Sequence, residues 1–246
     1  MQKAQKCHYE KVVKIVSERF DMTKEETEKM LYYIYDNSFV LCDKGEVMSF
    51  VAVIEFTYNG NNGAYIYSFC TDKNAQSKGY GTTLLNEVCD FYKNKADSIM
   101  LRPREESLFD FYKSRGFTDT VNIEQKVYKL SGDSVGEIKE IDFDRFYSLR
   151  KNYKEFLWSE NIYKYNFDMY GYKAFEGKDF LCAIRQEKGN LYVDEFFTKN
   201  KDSDFNAILS HYKKDMLYYF EDGSDRYLVA KFWKNKENIK MRLFMH

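Results

Sequence analysis

The chain has 246 residues, 44% hydrophobic and 31% charged, and its 38 basic and 39 acidic side chains leave a formal net charge of −1. That length can bury one large core or two small ones, and the charge balance gives no electrostatic case for nucleic acid or an anionic membrane as partner. No apolar run approaches the ~18 residues of a membrane span, and the first 14 residues lack the apolar stretch of a signal peptide.

Five cysteines (Cys7, Cys42, Cys70, Cys89, Cys182) are scattered without a C-x-x-C pair. Reduced thiols in a cytoplasmic protein are the expectation. Three histidines (His8, His211, His246) have no ligand spacing, so no metal site is expected. The load of 22 tyrosines and 21 phenylalanines fits either a compositional bias or an aromatic-walled cleft, and composition does not separate the two.

In chain order, residues 9–20 and 23–35 read as amphipathic helices, the second with Thr23 as N-cap and Glu26 at the capping-box position. Short and long strands follow at Phe39–Cys42 and Val47–Tyr58, joined by a Lys44-Gly45 turn. The loop 59–63 leads to a strand at Ala64–Thr71, making a hairpin. Thr82–Asn94 carries Leu84, Leu85, Val88, Phe91 and Tyr92 at helical spacing. A strand at Ser98–Leu101, a helix at Ser107–Ser114 capped by Gly116, and a strand at Val127–Leu130 complete a first unit. Ser107 and Thr23 are read as caps rather than nucleophiles.

Residues 131–134 (Ser131, Gly132, Asp133, Ser134) are the best linker, dividing the chain into domains at 1–131 and 136–246. The second half reads as helices near 142–152 and 155–170, a hairpin of Phe180–Gln186 with Leu191–Thr198, a helix from Asp204 to Tyr219, and strands at Tyr227–Phe232 and Ile239–Phe244. That order echoes the first half as a weak internal repeat.

The chemistry-bearing segment runs from Phe69 through Cys70, Thr71 and Gln76 to Thr82. A strand enters a loop holding Gly79 and Gly81, and a helix starts directly after it. Glycines there let backbone approach an anion, and the free N–H groups of the first helical turn point at it, so a phosphate or pyrophosphate site is expected. The loop is neither a Walker A sequence nor a dinucleotide G-x-G-x-x-G, because Leu84 stands where the third glycine would be.

The segment Gln76-Ser77-Lys78-Gly79-Tyr80-Gly81 resembles motif A (Q/R-x-x-G-x-G/A) of the GNAT acyltransferases. Downstream, the run from Leu101 to Phe117, with Phe111-Tyr112 and Gly116-Phe117, looks like the family's motif B, F-Y-x-x-x-G-F. The resemblance covers residues 1–130 and implies an α/β (α+β) fold with a mixed, mostly antiparallel sheet splayed between the two motif strands. The second half would be a degenerate GNAT-like unit or a domain covering the acceptor.

Membership of that family implies transfer of an acetyl group from acetyl-CoA to a primary amine, by direct attack in a ternary complex and without a metal. The backbone amides of Ser77, Lys78, Gly79, Tyr80, Gly81 and Thr82 would hold the pyrophosphate, with Gln76 orienting the loop. The strand at Phe69, Cys70 and Thr71 would pair with the pantetheine arm, and one of its N–H groups would hold the developing oxyanion. Tyr112 would donate a proton to the leaving thiolate. Tyr112 as a packing residue and Cys70 as a small buried strand residue are the structural alternatives.

Two positions depart from the family. Glu105 stands where Asn is frequent, and the strand Ala64–Phe69 lacks the carboxylate that often serves as base, leaving Glu55 on the neighbouring strand as substitute. A non-catalytic CoA-binding or interaction module with the same fold is the competing reading. The acceptor, a small molecule or a peptide amine, the preferred acyl chain and a possible homodimer stay open.

Overall fold

The structure, a computed structural model, describes residues 1–132, 136–153 and 155–234. The expected strand at Ile239–Phe244 and the linker residues Asp133 and Ser134 lie outside the described residues. In chain order the elements are β1 (Gln2–Lys3), α1 (Tyr9–Phe20), α2 (Lys24–Ile34), β2 (Ser38–Asp43), β3 (Glu46–Tyr58), β4 (Asn61–Thr71), α3 (Tyr80–Tyr92), β5 (Ser98–Leu101), α4 (Ser107–Lys113) and β6 (Asp119–Lys129). There follow β7 (Lys139–Ile141), α5 (Phe143–Arg150), β8 (Leu157–Trp158), α6 (Glu160–Tyr170), β9 (Lys173–Gly177), β10 (Phe180–Glu187), β11 (Asn190–Thr198), α7 (Lys201–Tyr212), β12 (Met216–Asp222) and β13 (Asp225–Phe232). No helix among the described residues is long and apolar enough to cross a membrane.

The chain divides into two compact units. One comprises residues 1–120 with 228–234, the other residues 121–227. In the first, β1 to β4 run antiparallel in sequence order, β4 pairs parallel with β5, and β5 pairs antiparallel with β13. One face of that sheet (Phe39, Val51, Val53, Ile66, Ile99) buries Leu84, Leu85, Val88 and Tyr92 of α3 and Phe109 and Tyr112 of α4. α1 lies against β3 and β4, and its Val12, Val13, Ile15 and Val16 are buried, as its helical spacing requires. α2 starts on the expected capping box. The Glu26 N–H donates to Thr23 Oγ1 at 3.2 Å, and the Thr23 N–H donates back to Glu26 Oε2 at 2.8 Å.

In the second unit, β7, β9, β10 and β11 pair antiparallel in that order, β11 pairs parallel with β12, and β12 antiparallel with β6. Phe205, Ile208 and Leu209 of α7 pack on Phe175, Cys182, Ile184, Val193 and Leu217. Two helices, a strand, a hairpin, a helix and a strand parallel to the hairpin's last strand thus occur twice. Each hairpin also carries a register shift, at Phe50/Ala52 and at Ala183/Ile184. The second unit thus repeats the element order of the first.

Several local expectations change. The loop expected at 59–63 narrows to Asn59 and Gly60, because residues 61–63 pair with 56–58 of β3. The helix expected over 155–170 begins only at Glu160, after the strand β8. The strand at Val127–Leu130 was expected to close the first unit; it is part of β6, residues 121–129 of β6 belong to the second unit, and β13 supplies the first unit's strand beside β5. The helix expected over Asp204–Tyr219 stops at Tyr212, because Lys213 turns left-handed at φ 51° and the Lys214 N–H closes on the Leu209 carbonyl at 3.0 Å. Met216–Asp222 then forms β12, whose Leu217 and Tyr219 are buried on one face.

Candidate active site

β4 and β5 pair only at Gly63–Ser98, Ala64–Ile99 and Tyr65–Met100. Beyond Tyr65, β4 keeps its partner β3 as far as Thr71, but its other edge has left β5. At the point of divergence β4 carries a bulge, with Ser68 and Phe69 together facing Val51 and Ser68 in the left-handed region at φ 50°. The result is a strand edge whose unpaired N–H and C=O groups can take an extended ligand as an added strand.

The bulge also sets the side chains. Cys70 pairs with Phe50, whose ring stacks on Tyr35 at 6.4 Å, so Cys70 points to the α1–α2 face. Thr71 pairs with Ser49 and their hydroxyls are hydrogen-bonded at 2.9 Å. Phe69 packs against the α3–α4 core. Cys70 is 4% exposed and burial pushes its thiol well above the usual range. It offers the site its main chain and no nucleophile.

After β4 the chain turns through a short 3-10 helix at Lys73–Ala75. Asp72 caps it by accepting from the Asn74 N–H at 2.8 Å and is paired with Lys11. Ser77 (φ 60°) and Gly79 (φ 87°) are both left-handed, and Gly79 is the N-cap of α3. The first intrahelical bond is Thr83 N–H to Gly79 O at 2.9 Å, so the N–H groups of Tyr80, Gly81 and Thr82 have no helical acceptor. A Cβ on Gly81 would stand 2.9 Å from Thr71 Oγ1 and 3.5 Å from Phe69 Cζ; only glycine lets α3 start this close to β4.

Gln76 was expected to orient this loop. Its side chain is exposed and makes no hydrogen bond to another described residue. The loop is held instead by Asp72, by Lys78 Nζ donating to the Asn74 carbonyl at 2.8 Å, and by the Tyr80 hydroxyl donating to Asp43 Oδ2 at 2.7 Å. Lys78 is thereby spent on the loop's own backbone.

Tyr112 projects from α4, which ends when the Gly116 N–H bonds to Lys113 O (3.0 Å) and the Phe117 N–H to Tyr112 O (3.2 Å). The ring meets Phe111 and Phe117 edge-on at 5.1 and 5.9 Å. Its hydroxyl makes no hydrogen bond to another described residue, and burial raises the phenol to about 12. Glu55 lies away from the Phe69–Thr71 end of the β4 edge. It pairs with Ala64, five residues along β3 from the Phe50–Cys70 pair, about 16 Å away, and its carboxylate accepts from Tyr92 at 3.3 Å. Among the described residues no cluster of three or more His, Cys, Asp or Glu is arranged to hold a metal ion.

Burial also raises Tyr35 and Tyr212 to about 12. These three phenols ionise near 10 when unfolded, so the unfolded chain loses their protons first as pH rises. The stability they carry is intact below pH 10 and is lost as pH climbs toward 12. Denaturation midpoints followed by circular dichroism from pH 9 to 12 are expected to stay level and then fall above 10; a flat profile to 12 would contradict the assignment.

The corresponding place in the second unit is built differently. α7 begins at Asn200, whose side chain accepts from the Ser203 N–H at 3.4 Å, and its first turn carries Asp202 and Asp204. Acids there occupy the positive end of the helix and repel a phosphate. Sequence reading missed two side chains beside the start of α3, Ser49, which is hydrogen-bonded to Thr71, and Arg115. Arg115 lies inside the F-Y-x-x-x-G-F stretch, and its Nη2 donates to Thr82 Oγ1 at 3.2 Å.

With this geometry in place, residues 9–117 match the model of the acetyltransferase (GNAT) family. That match spans less than half of the chain and lies within its first unit. Solved structures similar over nearly the whole chain include a GCN5-related N-acetyltransferase from Anabaena variabilis (13% identity, TM-score 0.75, covering 95% of this chain and 72% of that one). Another, from Kribbella flavida, is 12% identical with a TM-score of 0.73, covering 94% and 71%. At these identities the likeness is one of fold, and it extends through the second GNAT-like unit. No curated protein matches the chain.

Proposed function

We propose that the GNAT domain moves an acetyl group from acetyl-CoA to a primary amine by direct attack in a ternary complex. The observation that carries this reading is the juxtaposition of an unpaired β4 edge with a helix start brought against it at Gly81. The N–H groups from Ser77 to Thr82 would hold the pyrophosphate at the positive end of α3. The main chain of Phe69, Cys70 and Thr71 would align the pantetheine arm, and an N–H at the end of that edge would hold the carbonyl oxygen as charge develops on it. Tyr112, protonated at any working pH, would give its proton to the departing sulfur. β4 offers no carboxylate base, so the acceptor must arrive as the neutral amine, and the rate is expected to rise with pH until that amine is deprotonated.

Calorimetric titration of acetyl-CoA into the wild type and Gly79→Asp tests the donor site. Gly79 is the better position, since a Cβ there meets nothing within 4 Å whereas one on Gly81 strikes Thr71, and aspartate tolerates the left-handed region better than most residues. Micromolar binding in the wild type, weakened at least tenfold by the introduced carboxylate, is the expected result. Absence of binding to the wild type would sink the reading. Binding without thiol release across a panel of amines would favour a CoA-binding module that has lost turnover, a form consistent with the acid-free β4.

A further inference from the structure

We propose that Arg115 is a donor-binding residue that clamps the pyrophosphate of an acyl-CoA against the first turn of α3; this rests on the reading of that turn as the donor cradle. Arg115 follows α4, yet its guanidinium reaches across to α3. Nη2 donates to Thr82 Oγ1 at 3.2 Å, and Nη1 donates to the Phe111 carbonyl at 2.8 Å and to Ser114 Oγ at 3.0 Å. The guanidinium carbon lies 3.5 Å from the centroid of the Phe111 ring. Nε is buried and has no hydrogen-bond partner.

Every acceptor that this cation meets among the described residues is neutral. No carboxylate pairs with it, and it sits beside the N-terminus of a 13-residue helix, where a cation is repelled by the helix dipole. A half-buried arginine held in one orientation at the positive end of a helix is poorly explained as a strut. It is well explained as half of an anion site whose other half is the row of N–H groups at Tyr80, Gly81 and Thr82. The fixed charge and the remaining N–H of Nη2 suit a charge-assisted contact with a phosphate oxygen. The stack on Phe111 and the bond to its carbonyl fix the plane in advance, so little freedom is lost when the anion arrives.

The test compares acetyl-CoA with 3′-dephospho-acetyl-CoA, which keeps the pyrophosphate, on the full chain by calorimetry. Arg115→Gln is expected to weaken both at least tenfold and by equal factors, with Arg115→Lys intermediate. Unchanged affinity in Arg115→Gln overturns the proposal, and so does a loss confined to acetyl-CoA, which would place the contact at the 3′-phosphate. Footprinting on the wild type with an arginine-directed dicarbonyl keeps the test independent of how the variants fold. Inorganic pyrophosphate is expected to protect Arg115 while S-acetylpantetheine does not, and modification of Arg115 at the same rate with and without pyrophosphate overturns the assignment. Wild type that binds no acetyl-CoA rejects the donor cradle itself, an outcome separate from normal wild-type binding with an indifferent Arg115.

Discussion

Tyr112→Phe is expected to cut turnover about 100-fold or more, the range for loss of a positioned general acid, while leaving acetyl-CoA affinity and thermal stability unchanged. The substitution removes one oxygen from a ring that Phe111 and Phe117 hold edge-on, so the aromatic packing survives. That oxygen bonds no other described residue, so no internal partner is orphaned by its loss. Because burial raises the phenol to about 12, ionisation of Tyr112 is expected to stay out of the pH–rate profile across the neutral range. A profile limb that disappears in Tyr112→Phe below pH 10, or unchanged turnover, would remove Tyr112 from the mechanism and leave it a packing residue.

Arg150→Met is expected to cost the second unit about 3–5 kcal/mol, the range for removing one partner of a buried ion pair. Arg150 and Glu195 are both fully buried and meet at 2.7 Å. The Tyr163 hydroxyl donates to the same carboxylate oxygen at 3.2 Å, and Arg150 Nη1 donates to the Tyr153 carbonyl at 2.8 Å. Truncating the arginine removes the cation that balances the buried Glu195 charge. Arg150 Nη2 is itself a buried donor without a hydrogen-bond partner among the described residues, so the pair is not fully satisfied by them. The double change Arg150→Met with Glu195→Leu should therefore recover most of the loss, as replacement of whole buried pairs by apolar side chains commonly does. Urea denaturation midpoints of the two singles and the double measure this, and a cost below about 1 kcal/mol for Arg150→Met would show that the pair is solvated or dispensable.

What was legible beforehand was local. The capping box at Thr23 and Glu26, the hairpins, and the glycine pair between Thr71 and Leu84 depend on residues within a few positions of each other, and each is present, the first hairpin with a tighter loop than read. The two motifs carried the family because each fell in its proper strand or helix context. What stayed hidden depends on the third dimension. Glu55 looks near Cys70 on adjacent strands, and only the register against Ala64 shows that it lies well up the strand from it. Gln76 fits a motif letter but makes no side-chain hydrogen bond to another described residue, and Asp72, Lys78 and Tyr80 hold the loop. Met216–Tyr219 satisfies helical and strand spacing equally, and the left-handed turn at Lys213 decides between them. Arg115 gave no signal beyond its motif, since its meaning comes from Thr82, 33 positions away.

The segment at residues 228–232 has a consequence for how the protein is made. It is the strand that flanks β5, pairing Val229 with Leu101, roughly 130 residues later in sequence, a separation that slows pairing. On a ribosome, the half that matches the GNAT family model emerges first but is finished last. At about 5–20 residues per second the outer edge of β5 waits on the order of ten seconds for its partner, bare to any other strand that could pair with it. Severing the chain near residue 131 would not yield two self-sufficient halves, because the first would still lack a strand encoded almost at the far end of the described chain.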